Sequence, residues 1–135
     1  MACLDTTILI DLAGRSARLR KRALDKLSEI VNRNETIVTT RFNIAELYIG
    51  IAHSDDPRAE EAVVRGLIAD LGILEFDDKA AWLFGQITAH LQNLGRPVGD
   101  MDVLIAATAM VAGHSMITRD ISHFANIPQL TVEEY

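Results

Sequence analysis

Five acidic residues stand out because their neighbours give a charge little reason to be there: Asp5, Glu46, Asp100, Asp102 and Asp120. Glu46 lies between Ala45 and Leu47 in a largely apolar stretch, and Asp102 runs straight into Val103-Leu104-Ile105-Ala106-Ala107. A carboxylate in such surroundings is costly unless it is paired or holds a metal. Each has a plain structural explanation when taken alone. Asp102 could be a helix N-cap, Glu46 a capping-box acid, and Thr6 and Thr40 strand-end caps. Together they are harder to dismiss, because two carboxylates about 4 Å apart repel by roughly 4 kcal/mol at an effective dielectric of about 20. A converging set therefore takes up protons or holds a cation. The four histidines, His53, His90, His114 and His123, show no zinc spacing, and surface or packing roles are expected for each. Oxygen donors alone suit a hard ion that keeps its waters, Mg²⁺ or Mn²⁺. Such an ion lowers the pKa of a bound water and neutralises charge on a phosphate, which makes a phosphodiester the natural substrate.

The elements that must position these acids alternate. Met1–Asp5 reads as a short buried strand, and Thr6-Thr7 as the cap of a helical segment Ile8–Ala13 closed by Gly14. From Ser16 to Val31, Leu19, Ala23, Leu27 and Ile30 recur at helical spacing. Thr36–Thr40 is β-branched and predicts a strand, followed by a helix from Phe42 to Ala52 that carries Glu46. Asp55-Asp56-Pro57 starts a helix expected to reach Leu71, and Ile73–Phe76 is a brief strand. Asp77-Asp78 caps a helix from Lys79 to Leu94. Asp100 opens another, almost wholly apolar from Val103 to Ala112, which must be buried. Ser115–Thr118 is a strand, Arg119–Phe124 a turn or short helix, and Leu130–Val132 a last edge strand. Strands alternating with helices and no hairpins predict a single α/β domain over 1–135, with a mainly parallel sheet covered on both faces. Ligands of such a sheet bind beyond the carboxyl ends of its strands, where these acids fall.

The bulk numbers fit that picture. A chain of 135 residues, 49% hydrophobic and 24% charged, matches one globular domain. It has no apolar run of membrane length and no basic leader-like start, so a soluble cytoplasmic protein is expected. Cys3 alone makes neither a disulfide nor a metal set and reads as a small buried strand residue. A net charge of −6 argues against nucleic acid until its distribution is considered. Arg15, Arg18, Arg20, Lys21, Arg22, Lys26 and Arg33 form one basic segment, opposed there only by Asp25 and Glu29. With 5% aromatic residues, stacking cannot carry RNA binding. Phosphate contacts from Arg18, Arg20 or Arg22 are the expected substrate grip, with a solvated helix face as the plain alternative.

Four blocks carry a family resemblance. Leu4-Asp5-Thr6-Thr7-Ile8-Leu9-Ile10-Asp11 resembles the opening of PIN domains. Ile44-Ala45-Glu46-Leu47-Tyr48-Ile49-Gly50 resembles their second block. Val98-Gly99-Asp100-Met101-Asp102-Val103-Leu104-Ile105-Ala106-Ala107 resembles the third, and Ile117-Thr118-Arg119-Asp120 with His123-Phe124 the fourth. The blocks stand in family order over nearly the whole chain, with the size and spacing of the VapC toxins of bacterial toxin–antitoxin pairs. Two positions depart from the pattern: Thr7 replaces a commoner Asn or Ser, and Asp100 adds an acid. The resemblance implies a Mg²⁺- or Mn²⁺-dependent endoribonuclease acting on RNA, often structured RNA such as tRNA. Asp5, Glu46, Asp102 and Asp120 would be its catalytic and metal-holding acids, supported by Thr6, Thr118 and Asp100. It further implies a homodimer, held in check by a cognate VapB-type antitoxin that could place an Arg or Lys among the carboxylates. The alternative of another class is a non-catalytic PIN-fold interaction module, which would lack one or more of the acids.

Overall fold

The structure is a computed structural model describing Met1–Tyr135. Five strands, β1 (Ala2–Leu4), β2 (Ile37–Thr40), β3 (Gly72–Leu74), β4 (Ser115–Thr118) and β5 (Val132–Glu134), form one sheet in the order β3-β2-β1-β4-β5. Every pairing is parallel. The sheet is therefore wholly parallel, with β1 at its centre, and Cys3 is fully buried in that strand.

Six helices cover it: α1 (Thr6–Ala13), α2 (Ala17–Asn32), α3 (Arg41–Ala52), α4 (Pro57–Ile68), α5 (Asp78–Asn93) and α6 (Asp100–Val111). Side chains of β1 alternate between two cores, as strand geometry requires. Cys3 joins Ile87, Leu91, Val103, Ile105, Ala106 and Met116 in the core built on α5 and α6. Ala2 and Leu4 join Ile8, Leu9, Ala23, Ile30 and Leu47 in the core built on α1, α2 and α3. The small, apolar α6 is buried as its composition demands, with Ile105, Ala106, Ala107 and Ala109 fully inaccessible. None of the helices is long and apolar enough to cross a membrane.

Local chemistry sets most boundaries. Ser16 caps α2 by accepting from the Leu19 amide, and Asp56 and Asp77 do the same for α4 and α5. Three expectations shift. Thr6 and Thr7 lie inside α1 rather than capping it, because Asp5 takes the N-cap position. Helix α4 stops at Ile68 instead of Leu71, since Gly72 is already paired with Val38 in β3. The last strand is Val132–Glu134 rather than Leu130–Val132: Gln129 turns the chain at φ 65°, and pairing with β4 begins at Val132.

Candidate active site

The carboxyl ends of β1, β2 and β4 open on one side of the sheet, and the acids gather there. Asp5 follows β1 directly, and its carboxylate makes no capping bond to α1. Thr118 Oγ1 donates to Asp5 Oδ2 at 2.8 Å, and Thr7 Oγ1 donates to the same oxygen at 3.2 Å. Asn43 Nδ2 donates to Asp5 Oδ1 at 3.3 Å. Three donors thus meet a carboxylate that is only 5% exposed, which is what makes its burial tolerable.

Asn43 is the hub. Its Oδ1 accepts from the Thr40 amide at 3.2 Å and from Thr40 Oγ1 at 2.7 Å, closing a capping box at the start of α3. Its amide nitrogen is left to reach Asp5 and, at 3.0 Å, Thr6 Oγ1. Thr6 in turn donates to Glu46 Oε1 at 2.6 Å. Glu46 is therefore no capping-box acid, because Asn43 fills that role. Burial raises the Glu46 pKa, the Thr6 bond opposes the rise, and repulsion from Asp5 and Asp102 adds to it.

Across the cleft, Asp102 stands at the third position of α6, whose N-cap is Gly99, so it is not the cap either. Burial raises its pKa as well. His123 counters that rise, while Asp5 and Asp120 reinforce it. His123 sits between two acids, Nδ1 at 3.5 Å from Asp102 Oδ2 and Nε2 at 3.0 Å from Asp120 Oδ2. It is exposed, as expected of a surface histidine, but its ring faces both acids, which the sequence did not show. The only sequence signal was its place three residues after Asp120, one short turn away. Asp5, Glu46, Asp102 and Asp120 thus lie within one electrostatic field. No three His, Cys, Asp or Glu side chains close tightly enough to cage an ion unaided.

Thr118 performs two tasks, holding Asp5 and accepting the Asp120 amide at 3.0 Å. The supporting side chains Thr6 and Thr118 are therefore in place. Asp100 is exposed and bonded to none of the other acids; it lines a small hollow with Thr88 and Gln92 of α5. Two of the three arginines singled out for substrate are already engaged. Arg20 donates to the Gly14 carbonyl at 2.9 Å, and Arg22 donates to the Tyr135 carbonyl. Arg18 has no protein partner. Sequence reasoning also missed Asn43 and the buried Asp11, whose partners lie far away in the chain.

The parallel sheet and the helices around it define the class of protein. A family model described as PIN domain matches residues 2–130, and the chain belongs to that family. It is 30% identical to "Ribonuclease VapC2" of Haemophilus influenzae over 98% of this chain and 96% of that protein. It is 37% identical to the "tRNA(fMet)-specific endonuclease VapC" of Salmonella typhimurium over 68% of this chain and 70% of that one. The crystal structure of DNA-bound VapBC from Salmonella typhimurium superposes with a TM-score of 0.82 at 30% identity, covering 98% of this chain and 96% of the other.

Proposed function

We propose that this chain is a divalent-metal-dependent endoribonuclease, the toxin component of a VapBC-type toxin–antitoxin pair. One observation carries the reading: Asp5, Glu46 and Asp102, from three separate elements, converge, so that beyond burial Asp5 and Asp102 raise the cost of charging Glu46, and Asp5 and Asp120 that of charging Asp102. A cation bound among them would offset that penalty. The donors fit Mg²⁺ or Mn²⁺, since all four acids offer oxygen, and such ions complete their shells with water. Asp5, Glu46, Asp102 and Asp120 would hold the ion, which when bound supplies an activated water and neutralises phosphate charge. Thr118, Thr7 and Asn43 lock the Asp5 carboxylate in one orientation, and Thr6 does the same for Glu46. His123 places the one nearby imidazole between Asp102 and Asp120.

The substrate is RNA, with tRNA favoured by the Salmonella relative named for tRNA(fMet). The VapBC complex of that organism supports a cognate antitoxin as partner. A homodimer in the cytoplasm completes the reading. Arg18 is the one of the three arginines Arg18, Arg20 and Arg22 that is free of protein partners and so left to meet RNA. Purified protein incubated with total RNA should yield discrete fragments with Mg²⁺ or Mn²⁺. Asp5→Asn, which removes charge and keeps shape, should yield none while its circular dichroism spectrum is unchanged. Cleavage by Asp5→Asn at the parent's rate would refute the mechanism.

A further inference from the structure

Of the thirteen Lys and Arg residues, Arg119 alone lies within four positions of any of the four acids, directly between Thr118 and Asp120. Its guanidinium is held in a fork. Nε donates to Asp11 Oδ2 at 2.8 Å and Nη2 to Asp11 Oδ1 at 3.2 Å. Asp11 is buried within α1 and also accepts from the Tyr135 hydroxyl at 2.8 Å. The backbone of Arg119 is fixed too, its amide donating to Thr7 Oγ1 at 3.1 Å. Thr7 is the same side chain that holds Asp5.

Of this pair only the carboxylate is buried, while the Arg119 side chain is 40% exposed. A guanidinium carries five N–H donors. The Asp11 fork uses Nε and Nη2, leaving Nη1 without a protein acceptor. The result is a guanidinium fixed by Asp11, with Tyr135 beside it, one residue from Asp120 and 40% exposed as a side chain, and no hydrogen bond to the protein is made by Nη1. Seven of the other twelve cations are committed elsewhere: Lys26 and Arg33 to Glu133, Lys21 to Asp25, Arg41 to Glu75, Arg65 to Glu61, Arg20 to Gly14 and Arg22 to Tyr135. Planar, fixed donors of this kind suit phosphate oxygens, and holding them in advance lowers the entropy cost of binding.

Building on the ribonuclease reading above, we propose that Arg119 is a substrate-positioning residue whose free edge takes a backbone phosphate of the RNA beside the acids. Asp11 and Tyr135 serve as its brace. The guanidinium touches substrate but takes no part in proton transfer. The charged guanidinium meets the phosphate directly, and Asp11 fixes its direction.

The test uses the full chain, with fluorescein-labelled bulk tRNA as probe and anisotropy as readout, in Ca²⁺ buffer across a KCl series. Two variants are compared with the parent. Arg119→Lys keeps an ion pair to Asp11 but has no second edge. The double change Asp11→Asn with Arg119→Gln replaces the pair by a neutral hydrogen-bonded one, so no lone buried charge remains. Both should bind about tenfold more weakly, the loss of one charge-assisted bond. In the double variant the slope of log affinity against log salt should be shallower by about 0.7, the loss of one phosphate contact on a single strand. Parent-like affinity in Arg119→Lys overturns the proposal, and this variant decides alone if the double variant does not fold. A weaker double variant with the parent's salt slope also overturns it, since that marks a displaced turn and no lost phosphate contact. The ribonuclease reading is judged separately, by whether the parent cuts total RNA with Mg²⁺; a parent that neither cuts nor binds RNA removes both.

Discussion

Replacing Asn43 by Asp tests the architecture of the site with a single atom. The side chain is fully buried, and its Nδ2 lies 3.3 Å from Asp5 Oδ1 and 3.0 Å from Thr6 Oγ1. In Asn43→Asp the capping oxygen is kept, but an anionic oxygen faces Asp5 where an N–H donor stood. At that 3.3 Å spacing the repulsion is about 5 kcal/mol for an effective dielectric of about 20. The pair has a cheaper way out, which is to take up one proton. For an ordinary carboxyl of pKa about 3.9, holding a proton at pH 7 costs about 4 kcal/mol, and at pH 5 only about 1.5 kcal/mol. Protonation therefore sets the penalty. The sign follows from linkage: a carboxyl whose folded pKa is raised destabilises the fold above its unfolded pKa and ceases to do so as pH falls. Asn43→Asp should accordingly lose about 4 kcal/mol at pH 7 and regain more than half of it by pH 5. Urea denaturation followed by circular dichroism at the two pH values measures this, compared with the parent at each. A loss under about 1 kcal/mol at pH 7, or a larger loss that does not change with pH, would refute the placement of Asn43 against Asp5.

Glu46→Gln removes a charge that burial and Asp102 make costly while keeping the acceptor for Thr6, so its Tm should rise even as RNA cleavage is lost. A lower Tm in differential scanning calorimetry would contradict that. Glu133 behaves in the opposite sense. Burial pushes its carboxyl up, but Lys26 and Arg33 together outweigh burial and hold it below the ordinary value. Its contribution is therefore present above an unfolded pKa of about 4.3 and lost as pH falls through the lower folded value. Glu133→Gln should be less stable than the parent at pH 7, and the gap should narrow as pH falls below the unfolded value of about 4.3, as urea midpoints across that range would show. Arg18→Glu should weaken RNA binding and flatten its salt dependence, whereas Arg20→Glu should mainly lower Tm by breaking the bonds to Gly14. Equal effects of both on RNA affinity would mean the segment acts as a diffuse charged face.

The alternation of β-branched runs with capped helices was enough to predict a parallel α/β sheet, because strand and helix periods are local properties of the chain. The burial of α6 was equally legible: a helix of Val, Ile, Leu and Ala has no polar face to turn outward. The acids at the carboxyl ends of the strands followed once those elements were in order. What each acid touches was decided elsewhere. Asn43 reaches Asp5 across 38 positions, Thr118 reaches it across 113, and Arg119 reaches Asp11 across 108. Those contacts exist only because β1 lies between β2 and β4. The same holds for the side chains read wrongly or left undecided. His123 is exposed, as a surface residue should be, but only the turn after β4 brings it between Asp102 and Asp120. Asp100 and Asp102 are equivalent as composition, but two residues on a helix point about 200° apart, so only one faces the cleft. Arg20 and Arg22 looked free until the ends of α1 and β5 supplied carbonyls to take them. Sequence fixes which side chains can carry charge and which stretches must be buried; strand order fixes which charges meet.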